Sequence, residues 1–264
     1  MTKIVNSWTE FQPLKRVVLG RPEGGHVYTP EPATIPNMPE AGFPVGTTGK
    51  FPQELVDAAN EQMDYFEAQL KARGVIVDRV VPHPYLSEDT AFGTPDWTSV
   101  NFRGTNCPRD LFMPVGNEIM EAPGVLRTRW FEYLCLRPLF EQYFKEDPEF
   151  LWTTAPKPRL TDESYEQNYW YNMKNVWTND YKSERALSGL GVHTNKEPMW
   201  DAAAAARCGK DVVMSMPGAV NKAGMDWLKR YFGAKGIRFH PVLWDTLGKM
   251  RESGWFGGGH IDVL

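Results

Sequence analysis

Apolar and polar positions along the chain alternate between two periods. From Pro52 to Arg73 the apolar residues Leu55, Ala59, Met63, Phe66 and Leu70 recur at steps of 4, 4, 3 and 4, which is the spacing of one helix face. Pro52 suits the first turn of that helix and Gly74 the position just past its end. Shorter runs have strand character: RVVLG from Arg16 to Gly20, VIVDRVV from Val75 to Val81, and DVVMSM from Asp211 to Met216. DLFMPVGNEIMEAP holds two apolar runs joined at Gly116-Asn117, the pattern of a hairpin. WFEYLCLRPLFEQYFKED predicts an aromatic-rich helix kinked or divided at Pro138. A further helix is expected from Ala219 to Phe232, with Ala223, Trp227 and Tyr231 on one side, followed by a strand over GIRFHPV.

The segments between these runs differ in kind. Residues 21–52 are dense in Pro and Gly and predict an irregular excursion; loops of that length are often functional. Residues 156–197 are polar, rich in Pro, Tyr and Asn, and show no clear period, which suits loop with short helices. LKARGVIVDRV and YFGAKGIRFHPV share one order of events: helix, basic residue, Gly, then a β-branched strand start. Strand–helix–strand therefore occurs twice, which argues for an α/β protein built from related modules. No linker or sharp boundary interrupts residues 1–264, so a single domain is expected.

Composition narrows the class. The 264 residues are 42% hydrophobic and 23% charged, with a formal net charge of -4, which gives no electrostatic reason to expect nucleic acid or an anionic membrane as partner. No stretch approaches the roughly 20 apolar residues of a membrane span, and the N-terminal residues lack the apolar core of a signal peptide. Three cysteines, Cys107, Cys135 and Cys208, sit at no metal-ligand spacing; a reduced, cytoplasmic setting is expected. Ten Trp residues supply large anchors for a core or pocket.

Candidate chemistry lies in carboxylates and one histidine. GWFGGGHIDVL has neither dinucleotide- nor phosphate-loop spacing and leads into a strand rather than a helix, against a phosphate site. Alternation along that strand puts His260 and Asp262 on one face, about 6.5 Å apart, which suits a metal pair, an acid–base pair or a structural role. His26, His83, His193 and His240 complete no H-x-x-x-H pair and the cysteines no C-x-x-C, so no metal is expected. Asp110, in NCPRDLF, reads as a turn residue paired with Arg109 or as a pocket carboxylate. Asp201, ahead of five alanines, reads as a helix N-cap or as a catalytic group.

PLKRVVLGRPEG, TPDW, PRDLFMPVGNEIMEAP, RTRWFEY, APKPRLTDESY, EPMWDAA and GHID occur in that order. Together they resemble the arginine amidinotransferases of the glycine amidinotransferase family, nearer the bacterial branch that includes cyanobacterial toxin biosynthesis. The resemblance covers essentially the whole chain. It implies a pentein fold, modules of strands and a helix around a pseudo-five-fold axis. It also implies transfer of the amidino group of arginine to an acceptor amine through a cysteine-bound intermediate, with ornithine released. Small-molecule substrates and no cofactor are implied. By motif, Asp201 and His260 match the catalytic Asp and His, and Asp110 and Asp262 match carboxylates that grip the guanidinium. The chemistry suits these residue types: a guanidinium is a planar, permanently charged fork that carboxylates clamp bidentately. A His protonates the leaving amine and deprotonates the incoming one, and the thiol needs a nearby base or a depressed pKa.

The sequence departs from the family pattern in two places. Ala204 stands where the family commonly has a second Asp, three residues after Asp201. The family's nucleophilic cysteine, in a Gly-Gly-Gly-x-His-Cys context, lies beyond residue 264, so the chain is expected to be C-terminally truncated relative to its relatives. Each cysteine present reads as a small buried hydrophobe, with Cys107, three residues from Asp110, as the surrogate nucleophile to test. The alternatives are a catalytically dead arginine- or guanidine-binding protein and a guanidine-group hydrolase of the same fold. An incomplete set of modules would leave a face that homo-oligomerisation covers.

Overall fold

A computed structural model describes residues 3–27, 31–32, 47–84, 90–166, 193–216, 218–243 and 261. The chain gathers into two compact units. One comprises Met1–Ser7, Phe11–Glu121 and Leu126–Thr153, and the other Trp8–Glu10, Ala122–Val125 and Thr154–Leu264.

In the first unit, β1 (Arg16–Leu19) leads through β2 (His26–Val27) and β3 (Gly49–Lys50), which pair antiparallel, into α1 (Gln53–Lys71) and then β4 (Ile76–Arg79). β1 and β4 pair in parallel, Val17 opposite Val77. β5 (Phe92–Thr94) and β6 (Trp97–Ser99) form a small hairpin. β7 (Phe112–Val115) and β8 (Glu118–Glu121) form the hairpin expected at Gly116-Asn117, with Gly116 at φ 63°. The aromatic segment divides as its proline demands: a 3-10 turn over Glu132–Cys135, then α2 (Arg137–Glu146) with Pro138 in its first turn. β9 (Leu151–Thr154) completes the β7–β8–β9 sheet. Phe140, wholly buried, meets Phe112 and Trp152 edge-on at 5.1 and 5.8 Å between centroids.

In the second unit, β10 (Ala205–Cys208) pairs antiparallel with β11 (Asp211–Met216), and α3 (Lys222–Gly233) returns the chain to β12 (Arg238–Leu243), parallel to β11. Met199, Trp200, Val212, Met214, Leu228 and Phe232 are fully buried. Residues 8–10 lie along the outer edge of β10. Thr9 bridges Cys208, Gly209 N–H donates to the Trp8 carbonyl (2.8 Å), and Glu10 N–H to that of Arg207 (3.2 Å). The Glu10 carboxylate then takes the Arg207 guanidinium in a fork, at 2.7 and 2.6 Å.

The two strand–helix–strand passages share more than their order. α1 and α3 end in the same motif, with Gly74 at φ 78° and Gly236 at φ 74°. Val75 N–H reaches the Leu70 carbonyl (3.1 Å) and Ile237 N–H that of Phe232 (3.0 Å). These are the paired bonds of a Schellman cap, which needs a left-handed residue that glycine supplies without strain. The helix expected from Ala219 begins later, at Lys222, because Asn221 caps it.

The apolar stripe expected on α1 is the inward face only in part. Leu55 and Phe66 are 43% and 49% exposed, whereas Val56 is buried. The inward face keeps Ala59, Met63 and Leu70 of that stripe and takes in Val56, Asn60 and Glu67 beside them, in place of Leu55 and Phe66. Glu67 belongs there because it accepts a hydrogen bond from the half-sequestered Arg79 of β4 at 2.9 Å. An ion pair across the β–α interface, invisible to a hydrophobic count, therefore turns Glu67 inward.

Candidate functional site

In the first unit, Asp110 closes a single 3-10 turn, Pro108–Asp110, immediately before β7. The approach to that turn is fixed by backbone contact: a Cβ on Gly20 would sit 2.2 Å from the Asn106 carbonyl oxygen, so only glycine lets the end of β1 pass there. The Asp110 side chain, 11% exposed, forms an ion pair with Arg129 Nη1, nineteen positions on. Arg129 lies in a second 3-10 turn, Arg127–Arg129. Its Nε donates to Glu132 Oε2 at 2.8 Å, and its Nη2 donates to the Cys107 carbonyl at 3.2 Å and also meets Glu132 Oε2 at 2.7 Å. Asp110 thus already holds a guanidinium, one belonging to the protein itself.

Two carboxyls flank this cluster, Glu31 half-buried and Glu132 fully buried. Glu31 accepts from Thr128 N–H at 3.1 Å. Burial raises it to about 7, opposed by that hydrogen bond and by Arg127 and Arg103. Burial likewise raises Glu132 to about 7 in spite of Arg129. Both shifts follow from the cost of charge in a medium that solvates it poorly.

Neither Cys107 nor Cys135 offers an activated thiol. Cys135 is 1% exposed, and burial pushes its thiol up to about 12. Cys107 is raised as well, first by burial and then by the adjacent Asp110 carboxylate. A nucleophilic thiol needs the opposite environment. Cys208 is exposed at the end of β10.

In the second unit, Asp201 does act as a cap: its Oδ1 accepts from Ala203 N–H at 3.0 Å. The capped element is one 3-10 turn, Ala202–Ala204, after which the alanine run becomes β10 rather than a helix. Asp201 itself is 7% exposed and follows the fully buried Trp200, which bridges Val220. Asn221 holds this segment. Its Oδ1 accepts from Gly224 N–H (2.7 Å) and Met199 N–H (3.0 Å), and its Nδ2 donates to the carbonyls of Thr194 and Glu197, both at 2.7 Å. His193 is buried with Nδ1 against the Gly218 carbonyl at 3.1 Å, and burial lowers it to about 4, so the ring is neutral.

Of the four expected site residues, Asp110 and Asp201 are thus placed, one in each unit; His260 and Asp262 lie outside the described residues. Arg129 is a partner of Asp110 that sequence proximity, which pointed to Arg109, did not offer. Arg129 and Glu132 were missed as functional candidates. The signal available was their three-residue spacing in RTRWFEY, which brings a fork and a carboxylate onto one side of a turn. Among the described residues, no three or more His, Cys, Asp or Glu side chains gather in a way that would hold a metal ion.

No family model matches the chain. It is 34% identical over 241 residues to the mitochondrial glycine amidinotransferase of Xenopus tropicalis, covering 90% of this chain and 54% of that protein. It is 33% identical over 235 residues to an L-arginine:L-lysine amidinotransferase of Pseudomonas savastanoi pv. phaseolicola, covering 88% of this chain and 60% of that one. Among solved structures it resembles SxtG, an amidinotransferase of Microseira wollei in the saxitoxin biosynthetic pathway, with a TM-score of 0.74 and 33% identity over 90% of this chain and 62% of that one. The chain therefore spans a little over half the length of the curated relatives it matches. Over about nine-tenths of its own length, the chain is homologous to the amidinotransferases of the glycine amidinotransferase family and has their pentein-type α/β fold.

Proposed function

We propose that these residues belong to an enzyme that transfers the amidino group of L-arginine to an acceptor amine and releases ornithine. The observation that carries this reading is the likeness to amidinotransferases at about one-third identity over nine-tenths of the chain. The two curated relatives share the amidino group in their names and differ in the compound beside it, glycine or lysine. The acceptor here is accordingly open, and a small amine is the class to test. In this reading Asp110 grips the substrate guanidinium. Its ion pair with Arg129 supports the role, because a carboxylate has about four lone-pair sites and can serve two guanidinium forks. Asp201 and His260 form the acid–base pair, and Asp262 is a second guanidinium carboxylate. A cytoplasmic setting belongs to the same reading.

A cysteine-bound amidino intermediate requires a thiolate. The raised thiols of Cys107 and Cys135 favour a second reading for the chain taken alone: it binds arginine without transferring the amidino group. One experiment separates the two. Purified protein is titrated calorimetrically with L-arginine, and ornithine release is assayed with glycine, L-lysine and a panel of small amines. Release above background that is lost in D201N supports transfer. Arginine binding that is lost in D110N, without release, supports the second reading. Failure to bind arginine at millimolar concentration sinks both.

A further inference from the structure

Arg129 has little freedom to choose its rotamer. The guanidinium is planar and its donors lie in a rigid fork. Nε and Nη2 are both aimed at Glu132 Oε2, and Nη2 is shared with the Cys107 carbonyl. With those two edges anchored, the position of Nη1 follows, and Nη1 is the atom that meets Asp110. The orientation of the Asp110 carboxylate is therefore set through Arg129 by Glu132.

Stability does not account for Glu132. Its side chain is 1% exposed, and taking a carboxylate out of water is costly before any pairing is counted. A well-packed apolar side chain of similar volume commonly stabilises as well or better in such a place. One of its oxygens, Oε1, is buried without a hydrogen-bond partner among the described residues, which is wasteful if the purpose is to hold the turn together. What Glu132 does well is aim one fork.

We propose that Glu132 is a positioning residue for guanidinium recognition: it holds Arg129 so that Nη1 fixes the Asp110 carboxylate in the orientation a ligand guanidinium meets. This rests on Asp110 being the guanidinium carboxylate, as proposed above. Glu132 itself touches no ligand. It acts at one remove, through the Arg129 plane, and its effect is confined to ligands that carry a guanidinium.

The test is a pair of titrations on the full chain, with L-arginine and with L-ornithine, which keeps the amino-acid end and the positive charge but lacks the guanidinium. In E132Q the side chain keeps its shape and one acceptor oxygen but turns an amide N–H₂ or a weaker acceptor toward Arg129. Arginine affinity is expected to fall roughly tenfold while ornithine affinity is unchanged, so selectivity falls with it. D110N shows the same loss, and the E132Q/D110N double variant is no weaker than D110N alone, because both act through one carboxylate. E132D, which keeps the charge but withdraws it by one methylene, is expected to lose selectivity in the same way and serves if E132Q does not fold. Equal weakening of both ligands, unchanged selectivity, or additive losses in the double variant would overturn the proposal. Failure of the underlying reading shows separately, as a D110N variant that binds arginine like the parent.

Discussion

Asn221 is the position at which local geometry and the placement of Asp201 are most directly coupled, and N221A makes that coupling measurable. The side chain is 2% exposed and makes four hydrogen bonds, two as acceptor and two as donor. Truncation removes the N-cap of α3, worth about 1 kcal/mol. It also leaves Met199 N–H and the carbonyls of Thr194 and Glu197 without this partner, at about 1–3 kcal/mol for each group that water does not reach. Allowing for relaxation, the loss is about 3–5 kcal/mol. At about 3–5 °C per kcal/mol for a unit of this size, the second unit should melt roughly 10–20 °C lower, read by calorimetry or by near-ultraviolet circular dichroism. N221S restores a cap acceptor but not the two donated bonds, and should recover about 1 kcal/mol. N221D keeps the acceptors, forfeits both donors and faces two carbonyls with a charge, so it should fall between wild type and N221A. A midpoint for N221A within about 3 °C of wild type, or N221S no better than N221A, would show that these contacts do not hold the Trp200–Asp201 segment.

Four further outcomes are expected. The neutral His193 has a folded pKa of about 4 against an ordinary 6.5, so the unfolded chain takes up the proton first. Its contribution, about 3 kcal/mol, is complete above pH 6.5 and is lost as pH falls toward 4; H193Q should flatten chemical-denaturation stability over that window. Glu31, raised to about 7 from an ordinary 4.5, has the opposite sign: its contribution is complete below pH 4.5 and is lost as pH rises through 7. E31Q should therefore be the more stable form, relative to wild type, at pH 8 than at pH 4. Gly20→Ala places a Cβ 2.2 Å from the Asn106 carbonyl oxygen and should cost at least about 2 kcal/mol, with faster hydrogen exchange over residues 106–111; an unchanged exchange pattern would count against the clamp. With a thiol-specific chromogen in native conditions, exposed Cys208 should react first and Cys135 only on unfolding, and fast labelling of Cys135 would contradict its burial.

What the sequence disclosed, and what it concealed, divides along the range of the interactions. The β7–β8 hairpin was legible because Gly116 supplies the turn between two apolar runs. The two strand–helix–strand passages were legible because Gly74 and Gly236 end their helices by the same local bond pattern. Asp201 was legible as a cap for the same reason. The alanine run after it was not, since helix propensity gives way to a ladder with β11 and an edge fastened by Glu10, 197 positions from Arg207. Glu67 turns inward on an ion pair with Arg79, and Arg129, which meets Asp110, comes from nineteen residues away. Periodicity counts apolar residues and is blind to both. The resemblance placed Asp110 and Asp201 by motif, but their hydrogen-bond partners had to be seen in three dimensions.

The segment from Trp8 to Glu10 has a consequence for how the protein is made. The strand these residues cover, β10, leaves the ribosome nearly two hundred residues after them. Closing so long a loop is entropically slow, and until it closes the outer edge of β10 is a template for any other strand nearby. During synthesis that interval is a window for intermolecular pairing, and a version of the protein beginning at Phe11 would never leave it. Low expression temperature, or a solubilising fusion at the N-terminus that leaves residues 8–10 free to dock, is the practical remedy that this topology recommends.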